Sequence, residues 1–221
     1  MTSRYAQLAF TPAVRARQQH HGSRTAYARI EQGPARADRL GDDEVGFITA
    51  RDSFYLASTG ESGWPYVQHR GGPPGFLRAV DATTLAFADF RGNRQYITTG
   101  NLQGNDRVAL LLMDYPQRIR LKILGTAVTD DNPGPALLRA LTPADYRAVV
   151  ERVVLITVEA YDWNCPQHIT PRYTPQEIED DHADLCRRLA ELQRQNAALP
   201  RLNERLAELE AENTALRAAV Q

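Results

Sequence analysis

The stretch Phe87-Ala88-Asp89-Phe90-Arg91-Gly92-Asn93-Arg94-Gln95 joins an apolar run to a polar turn, and the turn opens a segment with a different periodicity. Thr84 to Ala88 reads as a strand, whereas Asn93 to Asn101 has helical spacing closed by Gly100 and Gly104, so a helix is expected directly after the strand. Backbone N–H groups at such a helix start, with the Arg91 and Arg94 guanidiniums beside them, suit a phosphate. A solvated turn with an Asn cap would use the same residues.

Upstream of this turn, strand-like pieces alternate with turn chemistry. Ser53 to Ser58 and Trp64 to His69 flank Thr59-Gly60-Glu61-Ser62-Gly63 and read as a hairpin. The end of its second strand, Val67-Gln68-His69-Arg70-Gly71-Gly72, brings an imidazole, a guanidinium and two permissive glycines together. Phe76 to Val80 pairs with Thr84 to Ala88 through Asp81-Ala82-Thr83. Downstream, Arg107 to Tyr115 and Ile119 to Val128 form two long strands around Pro116-Gln117. Short helices are expected at Ala136 to Leu141 and Pro143 to Glu151, and a last strand at Val153 to Asp162. About six antiparallel strands in about 120 residues predict a mainly β (α+β) fold, a small barrel with helical decoration. The first 44 residues read as an arm with one short helix, Pro12 to His20, with Thr11 as N-cap.

The chain has 221 residues, 43% hydrophobic and 24% charged, enough for a sizeable domain with an appendage and too apolar for a disordered chain. Its longest apolar runs, Val108 to Met113 and Val153 to Val158, fall far short of the roughly 20 residues that span a bilayer, and Arg4 is not followed by an apolar stretch, so neither a membrane protein nor an exported one is expected. Two cysteines, Cys165 and Cys186, give no disulfide framework and fit a reducing cytoplasm. His69, His168 and Cys165 match no standard metal spacing, and no metal is expected. Only Lys122 of the 26 basic residues is lysine; no basic block appears, which argues against a nucleic-acid partner.

Residues 175–221 are another object, with ten acidic and six basic side chains from residue 176 onward. Apolar spacing from Leu185 to Val220 is heptad-like, with Leu199, Leu206, Asn213 and Val220 at a and Leu202, Leu209 and Leu216 at d. A doubled step of three beside Pro200 predicts a break or kink there. Residues 185–220 read as a coiled-coil partner surface between subunits; the other reading is a helical hairpin bent at Pro200. The acidic run before the seam excludes a basic-region zipper. The expected domains are thus an arm at 1–44, a barrel at 45–174 and a helical tail at 175–221.

Phe54 to Ser58, Trp64 to Gly72, Gly75-Phe76-Leu77, Thr84 to Gln95 and Arg118 to Gly125 together resemble the FMN-binding split β-barrel family related to pyridoxamine 5′-phosphate oxidase. Asp89 to Gln95 is the most specific part of the likeness. The resemblance implies a homodimer with FMN at the subunit interface, touched by both chains, and an oxidoreductase acting on a small-molecule substrate. By it, Asn93, Arg94 and Gln95 match a phosphate-holding triplet whose third member is normally Lys. Arg70 falls near a position that reaches phosphate or ribityl oxygens, and Asp89 where a Thr borders the flavin. Arg120 aligns with a Gln that contacts FMN from the partner chain, and Lys122 follows on the same strand face. Gln68, His69 and Arg91 flank these positions. Trp163, Asn164, Gln167 and His168 lie in a polar, Pro-punctuated segment suited to a loop over a pocket. The family's C-terminal substrate signature is not recognisable, and no catalytic residue is assigned. Related barrels also use a deazaflavin or haem. The rival reading is a non-catalytic flavin-binding or sensor module whose tail mediates protein–protein contact.

Overall fold

A computed structural model describes residues 1–143, 146–163 and 166–219. It divides into two compact units, Met1–Pro171 and Arg172–Gln221.

In the first unit seven antiparallel strands form one sheet: β1 (Ser53–Thr59), β2 (Pro65–Gly71), β3 (Leu77–Ala79), β4 (Thr84–Phe90), β5 (Arg107–Asp114), β6 (Ile119–Asp130) and β7 (Val150–Trp163), in the order β2-β1-β5-β6-β7-β4-β3. Period-two burial marks the strands: in β5, Val108, Leu110 and Leu112 are buried while Ala109, Leu111 and Met113 face the other way. The sheet is curled into a half-barrel. β1 and β4 are four strands apart, about 19 Å in a flat sheet, yet the Phe54 and Phe87 rings lie 5.4 Å apart edge to face. Phe76 stacks on Phe54 at 5.6 Å, and these aromatics fill the core with Leu56, Leu112, Leu121, Ile123 and Ile156. Burying such side chains, at about 2 kcal/mol each, is what drives the curl.

The helices decorate the barrel. α1 (Ser3–Ala9), α2 (Pro12–His20) and α3 (Arg24–Ile30) precede it, where the sequence predicts only α2. α2 itself starts as expected, with the Thr11 hydroxyl accepting the Val14 N–H and Pro12 in the first turn. α1 and α3 are each seven residues long, and their short periodicity gives little signal. α1 is held on β7 by the Arg4–Glu159 ion pair at 2.8 Å. α4 (Asp42–Thr49) carries three acids in its first turn, and Glu44 reaches back to the Gly41 N–H at 2.9 Å.

Two expected helices are corrected. α5 is Ile97–Gly104, not Asn93 to Asn101. The Asn93 side chain accepts the Gln95 N–H at 3.2 Å, and Arg94 (φ 60°) and Tyr96 (φ 54°) are left-handed, a conformation no helix propagates. The helix expected from Pro143 to Glu151 is absent among its described residues. Val150 and Glu151 already belong to β7, and Val150 pairs with Phe90 of β4. α6 (Pro135–Leu141) forms as predicted.

The second unit is α7 (Pro175–Ala219), a single 45-residue helix that runs through Pro200 without a break. It is not a hairpin. Among the described residues no helix is long and apolar enough to cross a membrane.

Candidate functional site

The site forms where the half-barrel fails to close. Arg70 on β2 and Asp89 on β4 sit five strands apart in the sheet order, and the Arg70 guanidinium donates to the Asp89 carboxylate at 2.6 Å across the gap. β2 register explains which side chains arrive: Leu56 pairs with Gln68 and Phe54 with Arg70, so Gln68 and Arg70 share the core-side face. His69 pairs with Tyr55 on the opposite face, where the two rings meet edge to face at 5.7 Å.

The irregularity between Asp89 and Phe90 ends regular β4–β7 pairing just as the polar turn begins. Asp89 lies opposite Arg152, whose guanidinium is 4.0 Å from it. Glu151, one residue earlier, takes Arg91 at 3.0 Å and lies 4.0 Å from Arg94. Arg94 Nε donates to the Tyr96 hydroxyl at 3.0 Å, and that hydroxyl donates to Glu151 at 3.4 Å. The first turn of α5 is tied to β2 by Thr98 donating to Gln68 at 3.0 Å.

These groups border an open cleft with a free volume of about 70 Å³, lined by Gln68, Arg70, Asp89, Phe90, Gly92 through Thr99, and Glu151. An adjoining depression shares Gln68, Arg70, Asp89, Phe90 and Gly92, and His69 lines it too. Four guanidiniums (Arg70, Arg91, Arg94, Arg152) meet three carboxylates, Asp89, Glu151 and the exposed Asp131 that holds Arg152 at 2.9 Å, so the local balance is cationic by one charge. Burial pushes the Asp89 carboxyl above the ordinary carboxylate range; Arg70 and Arg152 oppose that rise and Glu151 adds to it. Arg70 Nε is buried and has no hydrogen-bond acceptor, an unmet donor at the cleft wall. A buried unmet donor, an Asx turn and left-handed backbone fit an oxyanion ligand, and two carboxylates within the cleft restrict how much negative charge it accepts.

Of the residues singled out from the sequence, the fold brings Gln68, Arg70, Asp89, Asn93, Arg94 and Gln95 into this cleft, with Arg91 joined through Glu151. Arg120 and Lys122 are on the outer face of β6, and the cleft of one chain does not include them. Lys122 pairs with Asp162 at 2.5 Å and lies 5.2 Å from the Tyr5 ring, while Arg120 Nε is buried without a partner. Trp163 is engaged by α4: its indole donates to Glu44 at 2.7 Å and its ring meets Phe47 at 4.8 Å. Gln167 and His168 are exposed, His168 with φ 64°. Asn164 lies outside the described residues. The sequence reading missed Glu151, Arg152, Tyr96 and Thr98. Their signal is a long-range one, because only the β4–β7 register sets Arg152 against Asp89.

The chain belongs to the pyridoxamine 5′-phosphate oxidase family, whose model matches residues 40–154, just over half of its length. That family is of the flavin-binding, oxidoreductase type. Solved structures similar to the chain include HupZ of Group A Streptococcus, 18% identical, covering 61% of this chain and 100% of that one with a TM-score of 0.46. An FMN-binding protein from Syntrophomonas wolfei is 13% identical, covering 66% of this chain and 97% of that one, TM-score 0.42. A protein related to general stress protein 26, of the pyridoxinephosphate oxidase family, from Clostridium acetobutylicum is 14% identical, covering 62% and 94%, TM-score 0.41. No curated protein matches the chain.

Proposed function

We propose that the chain binds FMN in the cleft between β2, β4 and α5 and serves as an oxidoreductase for a small substrate, as a homodimer with flavin at the subunit interface. The unmet Arg70 donor, in a cleft lined also by Asn93 and Arg94, is the observation that carries this reading. Arg94 and Arg70 would hold the phosphate by bidentate and charge-assisted hydrogen bonds, and Asn93 would shape the turn that presents them. Gln95 donates hydrogen bonds without adding charge, so the arginines carry the electrostatics. Bound FMN supplies the redox chemistry; the protein supplies anchoring and orientation.

Support for the homodimer comes from the outer face of the sheet. Tyr55, Ala57, Val67, Ala109, Leu111 and Leu124 line an apolar depression there, and Val67 is 60% exposed in one chain. Lys122 lines it and Arg120 shares its face of β6, so a flavin held by the partner subunit would meet both and would compete with Asp162 for the Lys122 ammonium. A guanidinium or ammonium placed beside the ring would stabilise negative charge developing there.

Reconstitution with FMN tests the proposal. The expected result is a yellow protein that keeps oxidised-flavin absorbance through gel filtration, and loses at least about tenfold in flavin affinity on Arg94→Ala, the value of one charge-assisted contact. Protein that stays colourless in excess FMN overturns it. Turnover is then followed as flavin-dependent oxidation of candidate small amines and reduction of small acceptors.

A further inference from the structure

The exposed face of α7 is used by none of the chemistry above. Leu199, Leu202, Leu206, Leu209 and Leu216 form one stripe and are 46–62% exposed. We propose that this stripe is the seam of a parallel, in-register, two-stranded coiled coil formed with a second copy of this chain. The inference is independent of flavin binding.

Charge complementarity identifies the occupant. With Leu199, Leu206 and Asn213 at a, Arg205 and Glu212 fall at g and Glu210 and Arg217 at e. In a parallel pair, each g side chain meets the e side chain five residues on in the other helix. Arg205 then faces Glu210 and Glu212 faces Arg217, opposite signs in both cases and repeated by the twofold axis. Within one helix Arg205 reaches Glu208 at 2.7 Å, with both side chains about two-thirds exposed. Such an exposed surface pair is weak and yields readily to an interhelical one.

The asparagines set the direction. Asn213 is at a, and so is Asn196 in the frame that precedes the three-residue step from Leu199 to Leu202. Parallel in-register helices put each Asn opposite its own copy, where one amide N–H₂ donates to the other carbonyl. Antiparallel helices pair a with d, which sets Asn213 against a leucine and leaves a buried amide unmet. The step at Leu199 is compatible with this: it locally overwinds the supercoil, and parallel in-register chains meet it at the same level in both helices. A different partner would have to reproduce the heptad shift, the asparagine levels and the charge order; a second copy does so by identity.

Site-directed cross-linking in the full chain tests this, with Cys165 and Cys186 replaced by Ser. Leu202→Cys and Leu216→Cys, each alone, are expected to convert most of the chain to a disulfide-linked dimer under mild oxidation, because a disulfide needs facing Cβ atoms about 4 Å apart. Glu204→Cys, on the outer side of the helix, is expected to cross-link about tenfold more slowly, its Cβ lying well beyond that reach. Arg205→Glu is expected to slow cross-linking in the Leu202 variant, and adding Glu210→Arg to restore it. Three results overturn the proposal: seam variants that link no faster than the Glu204 variant, linking only when the Leu202 and Leu216 variants are mixed, or indifference to the charge exchange.

Discussion

Asp89 is the residue on which the cleft turns. It is 8% exposed, spans the open side of the half-barrel through Arg70, and faces Arg152 in the neighbouring strand. Removing one partner of such a pair leaves a buried charge, so Arg70→Met is expected to cost roughly 3 kcal/mol. The double variant Arg70→Met, Asp89→Leu is expected to recover most of that loss, since neither charge remains; urea denaturation of the four proteins gives the coupling. The same carboxylate has a pH signature. Because folding raises its pKa, the native state holds its proton more readily than the unfolded chain. That contribution is present in full below the unfolded value, about 3.9, and is lost as pH rises through the raised folded value. Asp89→Asn lacks it, so the stability of this variant relative to the parent is expected to improve between about pH 4 and neutrality. Thermal melts across that range check the sign, and a difference that does not vary with pH contradicts it.

Each of two elements rests on one contact. The start of α4 is fixed by Glu44, which accepts from the Gly41 N–H and from the Trp163 indole at 2.7 Å. Trp163→Phe keeps the ring against Phe47 and removes the hydrogen bond to a carboxylate that is 8% exposed. An expected loss of about 1.5–3 kcal/mol follows, measured by urea denaturation. The β6–β7 ladder shifts register at Leu124/Gly125, and a Cβ at Gly125 would stand 2.4 Å from the Thr157 carbonyl oxygen. Backbone cannot yield as a side chain tip does, so Gly125→Ala is expected to destabilise by at least about 2 kcal/mol in the same assay. α5 shows how local signals compete. Helical spacing from Asn93 is real, but the Asx turn and two left-handed residues hold the backbone out of the helix until Ile97. That delay leaves Gly92 to Tyr96 as irregular backbone lining the cleft. The two left-handed residues cost roughly 1–2 kcal/mol each, strain of the kind that collects at ligand-binding turns.

At the scale of the whole molecule, two self-association surfaces are proposed, the outer sheet face of the barrel unit and the leucine stripe of α7. Removing residues 172–221 separates them. The truncated unit retains the full sheet and core, so it is expected to keep its melting transition and its flavin binding and to forfeit only the association that the tail provides. In that truncated protein, Leu111→Arg places an unpaired charge on the apolar depression. It is expected to give a monomer by light scattering and to lose flavin affinity by about tenfold or more, because the partner's Arg120 and Lys122 no longer reach the ligand. A monomer with undiminished flavin affinity would place the whole site within one chain.

The sequence alone determined the strands, because period-two burial and Gly/Pro punctuation are local, and it determined the family through Asp89 to Gln95 and the strands around it. It also fixed the heptad register of the tail, a property of spacing alone. Only the tertiary structure decided that Gln68 and Arg70 face the cleft while His69 turns away, and that Trp163 docks on α4. It alone added Glu151 and Arg152, because strands 60 residues apart in sequence become neighbours through register, and register follows from the collective burial of a core. The polar side chains of a site ride on that register.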